Sequence, residues 1–159
     1  MFIRIGTYGL ASYDANTWQD KMRRVALVLA RAYNRGEFDA VAVQGSSGVS
    51  AVFAARALLP AGVDFPIIIV RKDGEDSHSG KVTAARVSGS KSHANKEIRN
   101  IVVLDDLVAS GDTVMRIVRA LNEKVATGEE AELVRVYTYD EWGTPRHHSG
   151  YGFEIVAIQ

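Results

Sequence analysis

Residues 101–113 read IVVLDDLVASGDT, and the order of residue types along this stretch decides the fold. Ile101, Val102, Val103 and Leu104 form an apolar run with no polar break, the pattern of a strand buried on both faces. Asp105 and Asp106 follow at once. The strand therefore delivers two adjacent carboxylates to the carboxyl edge of a sheet, where open α/β sheets bind their ligands. Next come Ala109, Ser110, Gly111, Asp112 and Thr113, small or hydroxylated, running into a predicted helix. Its apolar residues Val114, Ile117, Val118, Leu121 and Val125 share one face, and Gly128 lies beyond. Such a loop at a helix N-terminus can wrap backbone N–H groups around a phosphate. The dipole alone offers about 0.3–1 kcal/mol and each charge-assisted hydrogen bond about 1.5–3 kcal/mol, so aligned amides outweigh it. Two carboxylates would repel a bare polyphosphate, so they must meet something else: the vicinal hydroxyls of a ribose, or the water shell of a bound Mg²⁺. Asp112 places a further carboxylate inside the loop. Turned outward or capping the helix it is harmless; turned inward it lowers phosphate affinity.

Outward from this stretch, strand-like and helix-like segments alternate. Residues 17–33 carry Trp18, Met22, Val25, Leu29 and Tyr33 at helical spacing, with Asn16 or Thr17 as cap and Gly36 after the end. Residues 39–43 form a short buried strand that enters a tight loop, Gly45-Ser46-Ser47-Gly48. Val49, Val52, Phe53 and Leu59 continue as a helix stopped by Pro60 and Gly62. Residues 65–70, 133–139 and 153–158 are further strands. This rhythm predicts an α/β fold: a single domain over residues 1–159, with a mostly parallel twisted sheet covered by helices on both faces. Residues 71–100 break the rhythm. They hold Arg71, Lys72, Lys81, Arg86, Lys91, Lys96 and Arg99 against Asp73, Glu75, Asp76 and Glu97, an excess of positive charge that points to an anionic ligand nearby. A solvated hairpin with residues 82–87 as one arm is the plainer alternative.

Composition narrows the function. The chain has 159 residues, 47% hydrophobic and 24% charged, with 19 Lys+Arg balancing 19 Asp+Glu. A neutral chain does not hold nucleic acid by bulk charge, so no nucleic-acid partner is expected. No run nears the roughly 18 apolar residues of a membrane span, and the start lacks a secretory pattern, so a cytoplasmic protein is expected. Cysteine is absent, which removes disulfides and thiolate chemistry. His147 and His148 adjoin without a recognisable set of further ligands, and no zinc site is expected.

The 101–113 run resembles the phosphoribosyl-pyrophosphate (PRPP) binding motif of type I phosphoribosyltransferases: four apolar residues, two acidic, two apolar, then a small Ser/Thr-Gly-x-Thr loop. A Walker B strand would need a P-loop, and none exists: the nearest stretch, 74–82, has one residue too many between its glycines and ends in Val82. The resemblance extends to Gly45-Ser46-Ser47-Gly48, similar in place to the family's pyrophosphate loop, and to Arg71-Lys72-Asp73, similar to the start of the mobile loop in orotate-type members. It implies transfer of the 5-phosphoribosyl group from PRPP to a nucleobase, with release of pyrophosphate, for nucleotide salvage. The implied catalytic residues are Asp105, Asp106 and Lys72. Residues Ala109, Ser110, Gly111, Asp112 and Thr113 would hold the 5′-phosphate; Gly45, Ser46, Ser47, Gly48, Arg71 and Lys72 would hold pyrophosphate, neutralised by Mg²⁺ bound mainly through PRPP and water. The lid would span about 71–100, with His78 and Lys81 as pyrophosphate contacts. A hood from about 1–16 and 140–152 would bind the base, with Trp142 stacking on it and Tyr151 and Phe153 as further candidates. Ala109 stands where 6-oxopurine enzymes carry an acidic residue. That detail resembles the adenine type, whereas Arg71-Lys72 resembles the orotate type, so the base is left open. The family also implies a homodimer. The alternative function is a PRPP- or nucleotide-sensing regulator with the same fold and weak or no catalysis.

Overall fold

Three apolar runs form the middle of the molecule because their residues tolerate burial on both faces. They are β1 (Ala40–Gln44), β2 (Ile67–Val70) and β4 (Asn100–Asp105). The computed structural model describes residues 15–72, 84–87, 97–108, 110–122, 131–140 and 153–159. To the central strands it adds β3 (Ala84–Val87), β5 (Glu132–Thr138) and β6 (Glu154–Ala157), giving a six-stranded sheet in the order β3-β2-β1-β4-β5-β6. Five strands are parallel; β3 runs antiparallel to β2 at one edge. The α/β expectation holds.

Helices cover both faces. On one, α1 (Ala15–Asn34) buries Met22, Val25, Ala26 and Leu29 beside Ala51, Val52 and Ala55 of α2 (Gly45–Arg56), over Val41, Val43, Val102 and Leu104. On the other, α3 (Asp112–Asn122) sets Val114, Ile117, Ala120 and Leu121 over Ala40, Ala42, Ile101 and Val103. Alternation along β1 and β4 sorts these side chains between the two layers. The first helix stops where sequence reading placed its end. Gly36 takes φ 70°, its N–H bonds the Tyr33 carbonyl, and the Glu37 N–H bonds that of Ala32. This is the paired closure that a left-handed residue permits. Tyr33, Phe38 and Phe65 pack with ring centroids 5.6–5.7 Å apart and close the core beneath the helix end. Among the described residues no helix is long and apolar enough to cross a membrane.

Four boundaries differ from expectation. α1 begins at Ala15, so Asn16 and Thr17, read as its cap, lie inside the helix. Residues 45–48, read as a loop, are the first turn of α2, which follows β1 with no connection at all. α2 itself ends at Arg56, short of Leu59 and of the predicted stop at Pro60. The polar stretch also ends earlier than residue 100: Ile98 is fully buried, and the backbone N–H groups of Arg99 and Asn100 both bond Asp39 Oδ2, at 3.0 and 2.9 Å. These last residues are anchored to the entry of β1 and belong to the scaffold. Within the same stretch, β3 pairs with β2, as the hairpin alternative required of that arm.

Candidate active site

Parallel strands put all their carboxyl ends on one edge, and here α2 and α3 both begin at that edge. Their N-termini open on a cleft of about 260 Å³. It is lined by Gln44, Gly45, Ser46 and Ser47 from one side, by Asp105, Asp106, Leu107 and Val108 at the β4 end, and by Ser110, Gly111, Asp112, Thr113 and Val114 from the other. Lys72 reaches in from the end of β2.

The first turn of α2 is built to expose amides. Gln44 is extended, and no side chain caps the helix. Helix geometry leaves the first-turn N–H groups of Gly45, Ser46 and Ser47 without acceptors inside the helix. Gly45 takes φ 72°, and a Cβ there would lie 3.0 Å from Lys72 Cε and 3.3 Å from its Nζ. The ammonium thus rests against the positive end of a helix, two positive features that both suit an anion. Gly48 has another task. A Cβ there would lie 3.1 Å from the Leu104 carbonyl oxygen and 3.1 Å from Val43 Cβ, so the helix backbone packs directly on β1 and β4. It does not line the cleft.

The two acids are unequal. Asp105 is 6% exposed and Asp106 half-buried, where sequence reading placed both alike at the carboxyl edge of the strand. Asp105 Oδ1 accepts the Asp106 N–H at 2.9 Å and the Ser47 hydroxyl at 3.3 Å, while Asp106 Oδ1 accepts the Leu107 N–H at 2.9 Å. Burial, then the neighbouring Asp106 carboxyl, pushes Asp105 up to about 7 despite these donors. The chain leaving β5 braces the pair: the Tyr139 and Asp140 N–H groups bond the Asp105 and Asp106 carbonyls at 3.3 and 2.9 Å. The Tyr139 hydroxyl donates to the Ser47 carbonyl at 3.2 Å, and Trp18 of α1 packs edge-on against its ring at 5.8 Å.

At the start of α3, Gly111 takes φ 83° and turns the chain into the helix. The Ser110 hydroxyl donates to Asp112 Oδ2 at 2.9 Å and accepts the Asp112 N–H at 3.3 Å. Carboxylate oxygens suit a hard cation such as Mg²⁺, which keeps most of its waters. Among the described residues, no three His, Cys, Asp or Glu side chains gather to hold a metal. The carboxylates that line the cleft and reach solvent are those of Asp106 and Asp112.

Of the residues singled out in the sequence, the fold brings together Gly45, Ser46, Ser47, Lys72, Asp105, Asp106, Ser110, Gly111, Asp112 and Thr113. Arg71 is present through its backbone: its carbonyl accepts Gln44 Nε2 at 2.9 Å, and its side chain is not among the cleft's lining. Ala109, His78, Lys81, Trp142 and Tyr151 lie outside the described residues, as does most of the expected lid and hood. Phe153 packs against the α3-side core. Sequence reading missed Gln44 and Tyr139. Gln44 was visible as the polar end of an apolar strand; it is buried, and its Oε1 has no hydrogen-bond partner among the described residues. Tyr139 carried no local signal, because its partners are 92 and 121 positions away.

No family model matches the chain. It is 25% identical over 111 residues to the purine biosynthesis transcriptional repressor PurR of Bacillus subtilis, a match covering 64% of this chain and 38% of the repressor. The chain thus spans well under half the length of that relative. Among solved structures, adenine phosphoribosyltransferase from Saccharomyces cerevisiae superposes with a TM-score of 0.59 at 17% identity, over 92% of this chain and 80% of that one. Orotate phosphoribosyltransferase from Mycobacterium tuberculosis, in complex with PRPP, gives 0.57 at 15% identity over 92% and 79%.

Proposed function

The chain has the type I phosphoribosyltransferase fold, and from that premise we propose that it binds PRPP and transfers the phosphoribosyl group to a nucleobase, releasing pyrophosphate. One observation carries the reading: two helix N-termini face one cleft, with a pair of carboxylates between them and Lys72 beside one of them. PRPP has the matching polarity, with a pyrophosphate at C1, a phosphate at C5 and hydroxyls between. The first turn of α2 and Lys72 take the pyrophosphate, the 110–113 turn takes the 5′-phosphate, and Asp105 and Asp106 accept the ribose hydroxyls.

In the reaction a ring nitrogen of the base forms a bond to C1 as the C1–O bond to pyrophosphate breaks; the bonding pair leaves with the pyrophosphate, and the proton on that nitrogen is lost to solvent. Positive charge grows on the sugar meanwhile, as in other glycosyl transfers. Asp106 stands where it stabilises that charge, and the α2 amides with Lys72 stabilise the leaving group. Mg²⁺, when bound, neutralises pyrophosphate oxygens. Both helix termini sit on strands of one sheet, so the two ends of the ligand are held in fixed relation. Nucleotide salvage, a lid within residues 73–96 and a base hood containing Trp142 belong to the same reading.

A second reading is favoured by the repressor relative: a regulator that senses PRPP with the same cleft and turns over little or none. Incubation with PRPP, Mg²⁺ and each common base, followed by pyrophosphate release, separates the two. Turnover with one base establishes the enzyme. Saturable PRPP binding without turnover establishes the sensor, and no binding at all removes both.

A further inference from the structure

The two helix N-termini at the cleft are not equivalent. That of α2 has no side-chain cap. That of α3 is closed on itself: the Ser110 hydroxyl donates to Asp112 Oδ2 at 2.9 Å and accepts the Asp112 N–H at 3.3 Å. Two donors that a phosphate would use in this turn are already taken, the Ser110 hydroxyl by the Asp112 carboxylate and the Asp112 N–H by the hydroxyl oxygen. The Asp112 carboxylate also lies in the first turn of α3, where the helix field favours an anion, and both residues line the cleft.

We infer that Asp112 is a built-in competitor of the 5′-phosphate, a residue that sets how weakly this cleft holds a sugar phosphate. The inference rests on reading the cleft as a sugar-phosphate site. A phosphate monoester carries nearly two negative charges near neutrality and three strong acceptor oxygens, so it outcompetes one carboxylate for the turn. To do so it must break the Ser110–Asp112 pair, and it then sits beside a like charge. The net effect is a lowered affinity whose electrostatic part is screened by salt. Asp112 stabilises the empty turn by the same interaction that opposes the ligand. Removing its charge therefore has opposite effects on the free and the bound protein.

The test is calorimetric titration of ribose 5-phosphate into the parent protein and into Asp112→Asn and Asp112→Ala, at low and high salt, with and without Mg²⁺. Both variants are expected to bind on the order of ten-fold more tightly at low salt, with the gain shrinking as salt rises. Thermal unfolding supplies the second readout: the free variants melt below the parent, and saturating ligand raises their midpoint more than the parent's. A residue that merely shapes the turn would weaken binding when replaced. Affinity unchanged or weaker in both variants overturns the inference and leaves the cleft reading intact. Weakening that occurs only with Mg²⁺ also overturns it, by showing that Asp112 helps to hold the cation. Binding by no protein of the set overturns the cleft reading, and this inference with it.

Discussion

At the scale of single residues, the informative feature is the inequality of two neighbours with the same side chain. Asp105 is buried and held up to about 7, above its ordinary 3.8, first by desolvation and then by Asp106. In the unfolded chain that carboxyl loses its proton near its ordinary value. Between the two values the folded protein therefore binds more protons than the unfolded one, and stability falls as pH rises through this window. Asp105→Asn cannot ionise. Its Oδ1 can still accept from Ser47 and from the Asp106 N–H, and its amide can donate to the Asp106 carboxylate. The substitution should raise stability by on the order of 1–3 kcal/mol at pH 8 and by nothing at pH 4. Thermal melts across that range check it; an equal effect at both ends would show that Asp105 is not held protonated. The same variant should lose affinity for ribose 5-phosphate, a gain in stability at the expense of the site. The sequence made the pair legible, because a carboxylate doublet closing an apolar strand has few structural uses. It did not make the inequality legible. That depends on how far the end of β4 sinks below the edge, a burial that the hydroxyl of Ser47, 58 positions earlier, only partly offsets.

At the scale of elements, α2 does most to shape the site. Its four opening residues read as a loop because Gly and Ser are poor interior helix formers. They form a turn of helix because Gly48 lets the backbone settle on the Leu104 carbonyl and Val43. Close approach outweighed propensity there. Gly48→Ala must push the helix outward or bend β4, and should destabilise the protein by about 1–3 kcal/mol, read as a lower midpoint in urea. An unchanged midpoint would mean that the contact is looser than 3.1 Å implies. Tyr139 fixes the same turn from the other side, through its hydroxyl on the Ser47 carbonyl. In Tyr139→Phe the ring and its packing on Trp18 remain while that anchor goes. We expect pyrophosphate affinity to fall about three- to ten-fold, the size of one hydrogen bond, with ribose 5-phosphate affinity little changed. Paired titrations of the two ligands decide it, since a general loosening would weaken both alike.

For the molecule as a whole, the strand–helix rhythm fixed the architecture early, because near-continuous apolar runs such as Ala40–Gln44 have no stable home except the middle of a parallel sheet. What the rhythm could not reveal was which segments meet at the carboxyl edge, since Lys72 and Ser110 are brought together only by strand order. That order also resolves an apparent conflict. The chain has zero formal net charge, yet the reading asks it to bind a highly charged ligand. Binding then depends on local field: two helix ends and Lys72 against three acids, Asp105, Asp106 and Asp112, arranged over one cleft. A local field acts on the ligand far more than on the folding of the empty protein, because sheet and core are apolar. PRPP with Mg²⁺ at one hundred times its dissociation constant should add about 2.7 kcal/mol to stability. For a chain of this size that raises the melting midpoint by roughly 5–10 °C. Raising sodium chloride should shrink that rise by weakening the affinity, while moving the midpoint of the empty protein little. Scanning fluorimetry at several salt concentrations measures both at once. A midpoint that rises equally with chloride and with PRPP would mean that the cleft answers to ionic strength alone, and the sugar phosphate would lose its place there.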